Sequence, residues 1–210
     1  MSSDGVLERR QGDPQAKSQT YRRLLAAAKT CLCEEGYAHL STRRVAELAG
    51  APLSQIHYHF GSKQRLVLAL LDDHNQRLLR RQAALFAQPL PLWQRWEYAC
   101  DYLDEDLASG FVRVLQEMIA AGWSDPTIAA TVRRDLQGWY DLLTRLAEEA
   151  SQRFGGLGPF TPEEVASLIG HAFVGTEALA LLGLDNSRVP GRQALRKFGT
   201  LIRQQEGGEV

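Results

Sequence analysis

The chain has 210 residues, 44% hydrophobic and 23% charged, with a formal net charge of -1; this is the make-up of a folded globular protein with a real core, and it excludes a disordered or collagen-like chain. On the sequence alone no stretch approaches the roughly 20 apolar residues that span a bilayer, and the first twenty residues carry no signal-like apolar run, so a cytoplasmic protein with no membrane partner is expected. The cysteines Cys31, Cys33 and Cys100 lack zinc-site spacing and read as reduced, core-filling thiols, so neither a metal nor another cofactor is expected.

The charge is unevenly spread. Residues 1–65 hold 10 Lys and Arg against 6 Asp and Glu, whereas the remainder holds 14 against 19. The first third is therefore the basic part, a weak pointer to nucleic acid that a merely solvated surface would also give.

Taken in chain order, the pattern is helical throughout. A polar stretch over 1–16 is expected to be a flexible tail. Tyr21, Leu24, Leu25, Ala28 and Leu32 form one apolar stripe on a first helix that stops at Gly36. Ser41 and Thr42 supply capping side chains for a short second helix carrying Val45, Leu48 and Ala49, and Gly50 ends it. Pro52 opens a third helix in its first turn, running to about His59. Ser62 caps a long fourth helix through Leu66, Leu70, His74 and Leu78 toward Phe86. Beyond Pro91, helices are expected near 91–107, 111–122, 125–154, 162–183 and 190–205. The third of these opens on Ser124-Asp125-Pro126 and the fourth on Thr161-Pro162-Glu163-Glu164, with an N-cap, an N1 proline and a capping-box glutamate. The fold class is thus all-α, about nine helices, with domains over 17–62 and 63–210.

The second and third helices carry a specific signature. Two short helices that cross closely at a tight turn need a small residue where the first faces the second, a residue tolerant of positive φ in the turn, and an apolar anchor in the second helix. Ala46, Gly50 and Ile56 meet these needs in the arrangement of a helix-turn-helix, although an ordinary helical hairpin would meet them too. The outward side adds hydroxyl, amide, imidazole and guanidinium groups, which bond phosphate oxygens and base edges. Thr42, Arg43 and Arg44 stand at the start of the second helix, while Ser54, Gln55, His57, Tyr58 and His59 crowd the third. Lys63 and Arg65 lie in the first turn of the fourth, where the helix dipole disfavours cations unless an anion joins them. Tyr58 could equally pack half inward, and Ile56 and Phe60 belong to the core. His57 and His59 do not make a metal pair, because residues two apart on a helix do not face one another.

These residues resemble the DNA-binding domain of the TetR family of bacterial transcriptional regulators. The resemblance rests on the helix ending Glu35-Gly36-Tyr37, then Ser41-Thr42-Arg43-Arg44-Val45-Ala46, Ala49-Gly50, and Tyr58-His59-Phe60-Gly61-Ser62-Lys63. The last two thirds is similar only in helical pattern and length. The resemblance implies an N-terminal three-helix helix-turn-helix domain followed by a larger ligand-binding and dimerisation domain. It implies that Thr42, Tyr58, His59 and Lys63 hold phosphates, that Arg43 reaches a base edge, and that Leu53, Ser54, Gln55 and His57 read bases. His57 stands where the family very often has tyrosine, and Pro52 where it often has serine.

One recognition helix spans only a few base pairs, whereas a two-fold dimer presents two of them to major grooves about 34 Å apart. A homodimer on palindromic double-stranded operator DNA is therefore expected, acting as a repressor. By resemblance the last two long helices pair with those of the partner. Leu168, His171, Gly175, Ala178, Leu179 and Leu182 form one candidate face, with Leu195 and Phe198 as companions; the same face could instead pack within the chain. Similar proteins hold a small-molecule inducer in the second domain. Trp93, Trp96, Tyr102, Phe111, Met118, Trp123, Trp139 and Phe173 are candidates to line an aromatic or apolar site, with Glu177 as an orienting group. Two rivals stand beside this reading. An enzyme is disfavoured by the lack of a nucleophile motif, metal quartet or phosphate-cradling loop. A helical DNA-associated interaction protein of the same fold, unresponsive to small molecules, is the alternative.

Overall fold

The structure is a computed structural model and describes residues 14–184 and 187–207. Residues 1–13 of the expected tail lie outside the described residues. Among the described residues there are nine helices and no strand. The chain divides into two compact units, one reaching Ala69 and the other starting at Leu70.

The first unit is built on α1 (Pro14–His39). Leu24, Leu25, Ala28 and Leu32 are all buried, as the apolar stripe requires. Gly36 breaks the helix with φ 75° and ψ 167°, a conformation open to a residue without Cβ. α2 (Thr42–Leu48) follows, and Gly50 turns the chain with φ 57°. Ser41 occupies the N-cap position of α2, but its side chain makes no capping hydrogen bond. α3 (Leu53–His59) starts one residue later than the sequence suggests: Pro52 has ψ 144°, so it stands just outside the helix rather than in its first turn. Ile56 is fully buried and Ala46 nearly so, and Tyr21 of α1 stacks on Phe60 at 4.9 Å between ring centroids. α4 (Lys63–Phe86) is capped by Ser62, whose Oγ accepts from the Arg65 N–H at 3.2 Å.

The second unit contains the rest of α4 with α5 (Leu92–Ala108), α6 (Phe111–Gly122), α7 (Pro126–Phe154), α8 (Pro162–Leu181) and α9 (Gly191–Gln205). Both marked starts cap as their side chains predict. Asp125 accepts from the Thr127 and Ile128 N–H groups at 2.9 and 3.1 Å. Thr161 and Glu164 form the reciprocal capping box, at 3.3 and 2.8 Å. Glu206, just past α9, accepts from the Leu92 and Trp93 N–H groups at 3.0 and 3.1 Å and so caps α5 from far along the chain. Trp96, Cys100, Leu103, Phe173 and Leu195 form a buried cluster, and the Trp96 indole donates to the Leu195 carbonyl at 2.7 Å. Burial pushes the Cys100 thiol up to about 12, which keeps it a packing group at neutral pH. Arg95, also buried, donates to the Phe86 carbonyl at 2.6 Å and to both Glu149 oxygens at 2.9 and 2.5 Å. These hydrogen bonds, with the arginine's charge, hold the Glu149 carboxyl below the usual range.

α8 corrects the reading of the sequence in one respect. It is long and apolar enough to cross a membrane by length and composition alone. The reason is visible in its faces: Ala166, Gly170 and Phe173 are buried in the unit, while Leu168, Leu179, Leu181 and Leu182 lie exposed at 58%, 37%, 36% and 76%. The helix is apolar on more than one side.

Candidate nucleic-acid interface

α3 is a seven-residue helix with one anchored side. Because Ile56 and Phe60 point into the first unit, the residues between and around them face outward. Ser54 and His57 are exposed, and Tyr58, which could have packed inward, is 63% exposed. Leu53, Gln55 and His59 are half-buried. At the start of α2, Arg43 and Arg44 are exposed and Thr42 is half-buried. Donors and acceptors thus line one side of a helix whose opposite side is fixed, which is what a base-reading element requires.

Several of these groups already have neighbours in the chain. The Lys63 ammonium donates to the Ala38 carbonyl at 3.2 Å and lies 4.9 Å from the centroid of the Tyr37 ring. Partial burial lowers its pKa. Arg44 stands 4.0 Å from Glu35, and His57 Nδ1 lies 3.4 Å from the Gly61 carbonyl oxygen. His59 sits among Tyr21, Tyr58 and Phe60, with ring centroids 5.8, 5.0 and 6.0 Å away, so it packs as well as presenting an imidazole.

Sequence reasoning missed the residue that locks the turn. Arg23 of α1 places its guanidinium over the end of α2, with Nε donating to the Ala49 carbonyl at 2.9 Å and Nη2 donating to Gly50 at 2.6 Å and to Ala49. These carbonyls have no partner within their own helix, and the cation also complements the negative end of the helix dipole.

In the second unit the aromatic candidates part company. Phe111, Trp139, Phe173 and Glu177 line one narrow cavity of about 50 Å³, together with Gln82, Asp106 and Asp135. Trp96 lines another, wholly different cavity of about 390 Å³, whose walls include Leu143, Phe154, Phe160, Ile169 and Ile202. Trp123 is 83% exposed, beyond the end of α6, and borders only a shallow surface groove. Trp93 lies under Arg203 and Tyr102 under Arg81, at 4.8 and 4.0 Å from their ring centroids, and Met118 is fully buried; none of the three borders either cavity.

The candidate partner face also needs one correction. Leu168, His171, Gly175, Leu179, Leu182 and Phe198 are exposed and Ala178 is half-buried, but Leu195 is 7% exposed and belongs to the Trp96 cluster. Its position on α9 turns it into its own unit.

Residues 24–70 match the family model described as bacterial regulatory proteins, tetR family. The HTH-type transcriptional repressor AcnR of Corynebacterium efficiens is 34% identical over 67 residues, 32% of this chain and 35% of that protein, so the match spans about a third of that relative. The HTH-type transcriptional regulator UidR of Escherichia coli strain K12 is 24% identical over 146 residues, 67% of this chain and 70% of that one. Among solved structures, a transcriptional regulator from Saccharomonospora viridis in complex with choline superposes with a TM-score of 0.73 at 21% identity, covering 86% of this chain and 95% of that one; at that identity the likeness speaks for the fold. The matched N-terminal segment coincides with the helices that build the turn described above, and over that segment the chain is similar to the TetR family of bacterial regulatory proteins.

Proposed function

We propose that the protein is a sequence-specific transcriptional repressor of the cytoplasm that binds a palindromic operator as a homodimer and releases it when a small molecule occupies the second unit. The observation that carries this reading is the two-sided α3: Ile56 fully buried, with Ser54, His57 and Tyr58 exposed opposite it. Thr42, Tyr58, His59 and Lys63 supply phosphate contacts, and Arg43, Leu53, Ser54, Gln55 and His57 read base edges.

Dimerisation is supported by the exposed leucines of α8, by Leu182 at its C-cap, 76% exposed, and by Phe198 and Leu201 of α9 at 42% and 55%. An apolar surface of this kind is usually covered in an obligate dimer. A small-molecule response is supported by two cavities in the second unit and by the fold shared with a regulator that holds choline. Leu71, Asn75, Leu78 and Gln82 of α4 border the narrow cavity, so an occupant touches the helix that begins in the DNA-binding unit. A coupling of about 2–3 kcal/mol, roughly 30- to 150-fold, is enough for release.

The test is a titration of the purified protein against the DNA upstream of its own gene, at two salt concentrations. Selective, steeply salt-dependent binding is expected. Equal affinity for unrelated DNA of the same length contradicts the operator-reading role.

A further inference from the structure

The narrow cavity has a chemical peculiarity. Its walls are mostly apolar, yet three oxygens in its lining residues are buried without a hydrogen-bond partner: Gln82 Oε1, Asp135 Oδ2 and Glu177 Oε2. Gln82 and Asp135 retain only 8% and 5% exposure. The Gln82 and Asp135 oxygens are acceptors, and so is that of Glu177 when ionised; a buried acceptor left unpaired costs free energy that a donor recovers.

Once Glu177 is ionised, the carboxylates of the cavity outnumber the cations paired with them. Asp106 is paired with Arg81 of α4 at 2.7 Å. Asp135 Oδ1 is paired with the neighbouring Arg134 at 2.9 Å, an arginine that is itself largely exposed. Glu177 has no cationic neighbour; Gln116 hydrogen-bonds it, and Asp106 is the charge that acts on it. A neutral donor would satisfy oxygens but give an ionised Glu177 no counter-charge. An anion would add to the negative charge. A quaternary ammonium would correct the charge but has no N–H to give, whereas a primary ammonium carries three donors, no acceptor and one positive charge.

From these oxygens and their charges we infer that the ligand of this cavity is a slender primary amine, bound as its ammonium ion against Glu177, Asp135 and Gln82 with its hydrocarbon along Phe111, Trp139 and Phe173. The inference rests on the reading of the second unit as the sensor, and it names the chemical class of what is sensed. At about 50 Å³ the cavity has room for an ammonium head and little more, so a thin alkyl body is favoured over a broad ring system. Burial first, and Asp106 second, push the Glu177 carboxyl up to about 8. An ammonium beside it favours the carboxylate, so binding near neutral pH releases a proton from Glu177 to the solvent and leaves an ion pair.

The experiment uses the full chain and three matched probes small enough for the cavity: ethylammonium, ethanol and propanoate, each titrated calorimetrically in two buffers of different ionisation enthalpy. The ammonium is expected to bind at least about tenfold more tightly than the alcohol, with net proton release, and the carboxylate not to saturate. Glu177→Gln is expected to remove the proton release and most of the preference for ammonium over alcohol. Asp135→Asn, in a second variant, reduces the same preference. Alcohol or carboxylate binding as tightly as the ammonium overturns the inference, as does failure of all three to saturate, or a preference that survives both substitutions. Repeating the titration with operator DNA separates the two readings. Ammonium binding that leaves DNA affinity unchanged contradicts the sensor role but not the amine site, whereas DNA release by the alcohol alone contradicts the amine site but not the sensor.

Discussion

The guanidinium of Arg23 on α1 and the carbonyl of Ala49 at the end of α2 are joined by an Nε–H···O bond of 2.9 Å, and the same side chain reaches Gly50. One residue thus ties the first helix to the turn that sets the angle of α3. Arg23→Ala is expected to lower the stability of the first unit by about 1–2 kcal/mol and to weaken binding to all DNA, because α3 is no longer held in place. Urea unfolding monitored beside DNA titration checks this. Undiminished stability and undiminished binding would show the contact to be incidental.

Lys63 has a place in the fold beside the phosphate contact proposed for it. Its contacts with Ala38 and Tyr37 mean that Lys63→Ala should cost some stability, while loss of a phosphate contact should lower the slope of log affinity against log salt by about one. An unchanged slope with reduced stability would assign this lysine to the fold alone.

Base reading predicts a different signature. Gln55→Ala and His57→Ala should change which operator is preferred, with a cost of about 1–3 kcal/mol at the affected position. Binding selections on a randomised operator library measure this directly. Variants that keep the wild-type ranking of sites would remove these two residues from the reading head.

Much of this was legible in the sequence because helix ends are local. Gly36, Gly50, Ser62, Asp125 and Thr161 act through their own or nearby backbone, and each marks a boundary or cap where its chemistry requires one. What was not legible depends on distant partners. Arg23 caps a carbonyl 26 residues away, and Glu206 caps a helix start 114 residues away; neither has a local signature. Trp123 and Leu195 were misplaced for a related reason: an apolar side chain announces that it prefers burial, not which surface will bury it. Trp123 lies outside, just beyond the end of α6, while Leu195 faces the Trp96 cluster. Gln82 and Asp135 did leave a trace that was overlooked, namely polar residues on otherwise apolar helix faces, as Glu177 did.

The raised Glu177 carboxyl has a sign that can be measured. Between its ordinary value of 4.5 and about 8 the folded state holds a proton that the unfolded chain has released. Its contribution to stability is therefore complete below the ordinary value and is lost as pH climbs through about 8. Asp135, also raised chiefly by burial, acts in the same direction. Urea midpoints should fall as pH rises through this window, and Glu177→Gln should flatten the fall by up to one proton's worth of slope. An identical slope in the variant would place the titration elsewhere.

The apolar side of α8 should govern association. Leu182→Glu and Leu168→Glu, both at exposed positions, should convert a dimer into a monomer by sedimentation and weaken operator binding together. Loss of neither would move the interface to another surface.

The most direct test of the central claim is the stoichiometry and selectivity of binding to a palindrome recovered from the upstream DNA, measured by sedimentation with labelled duplex. The account predicts two protomers bound together on the two half-sites, with affinity falling sharply when the half-site spacing is changed by half a helical turn. A single protomer bound with equal affinity to either spacing would contradict it.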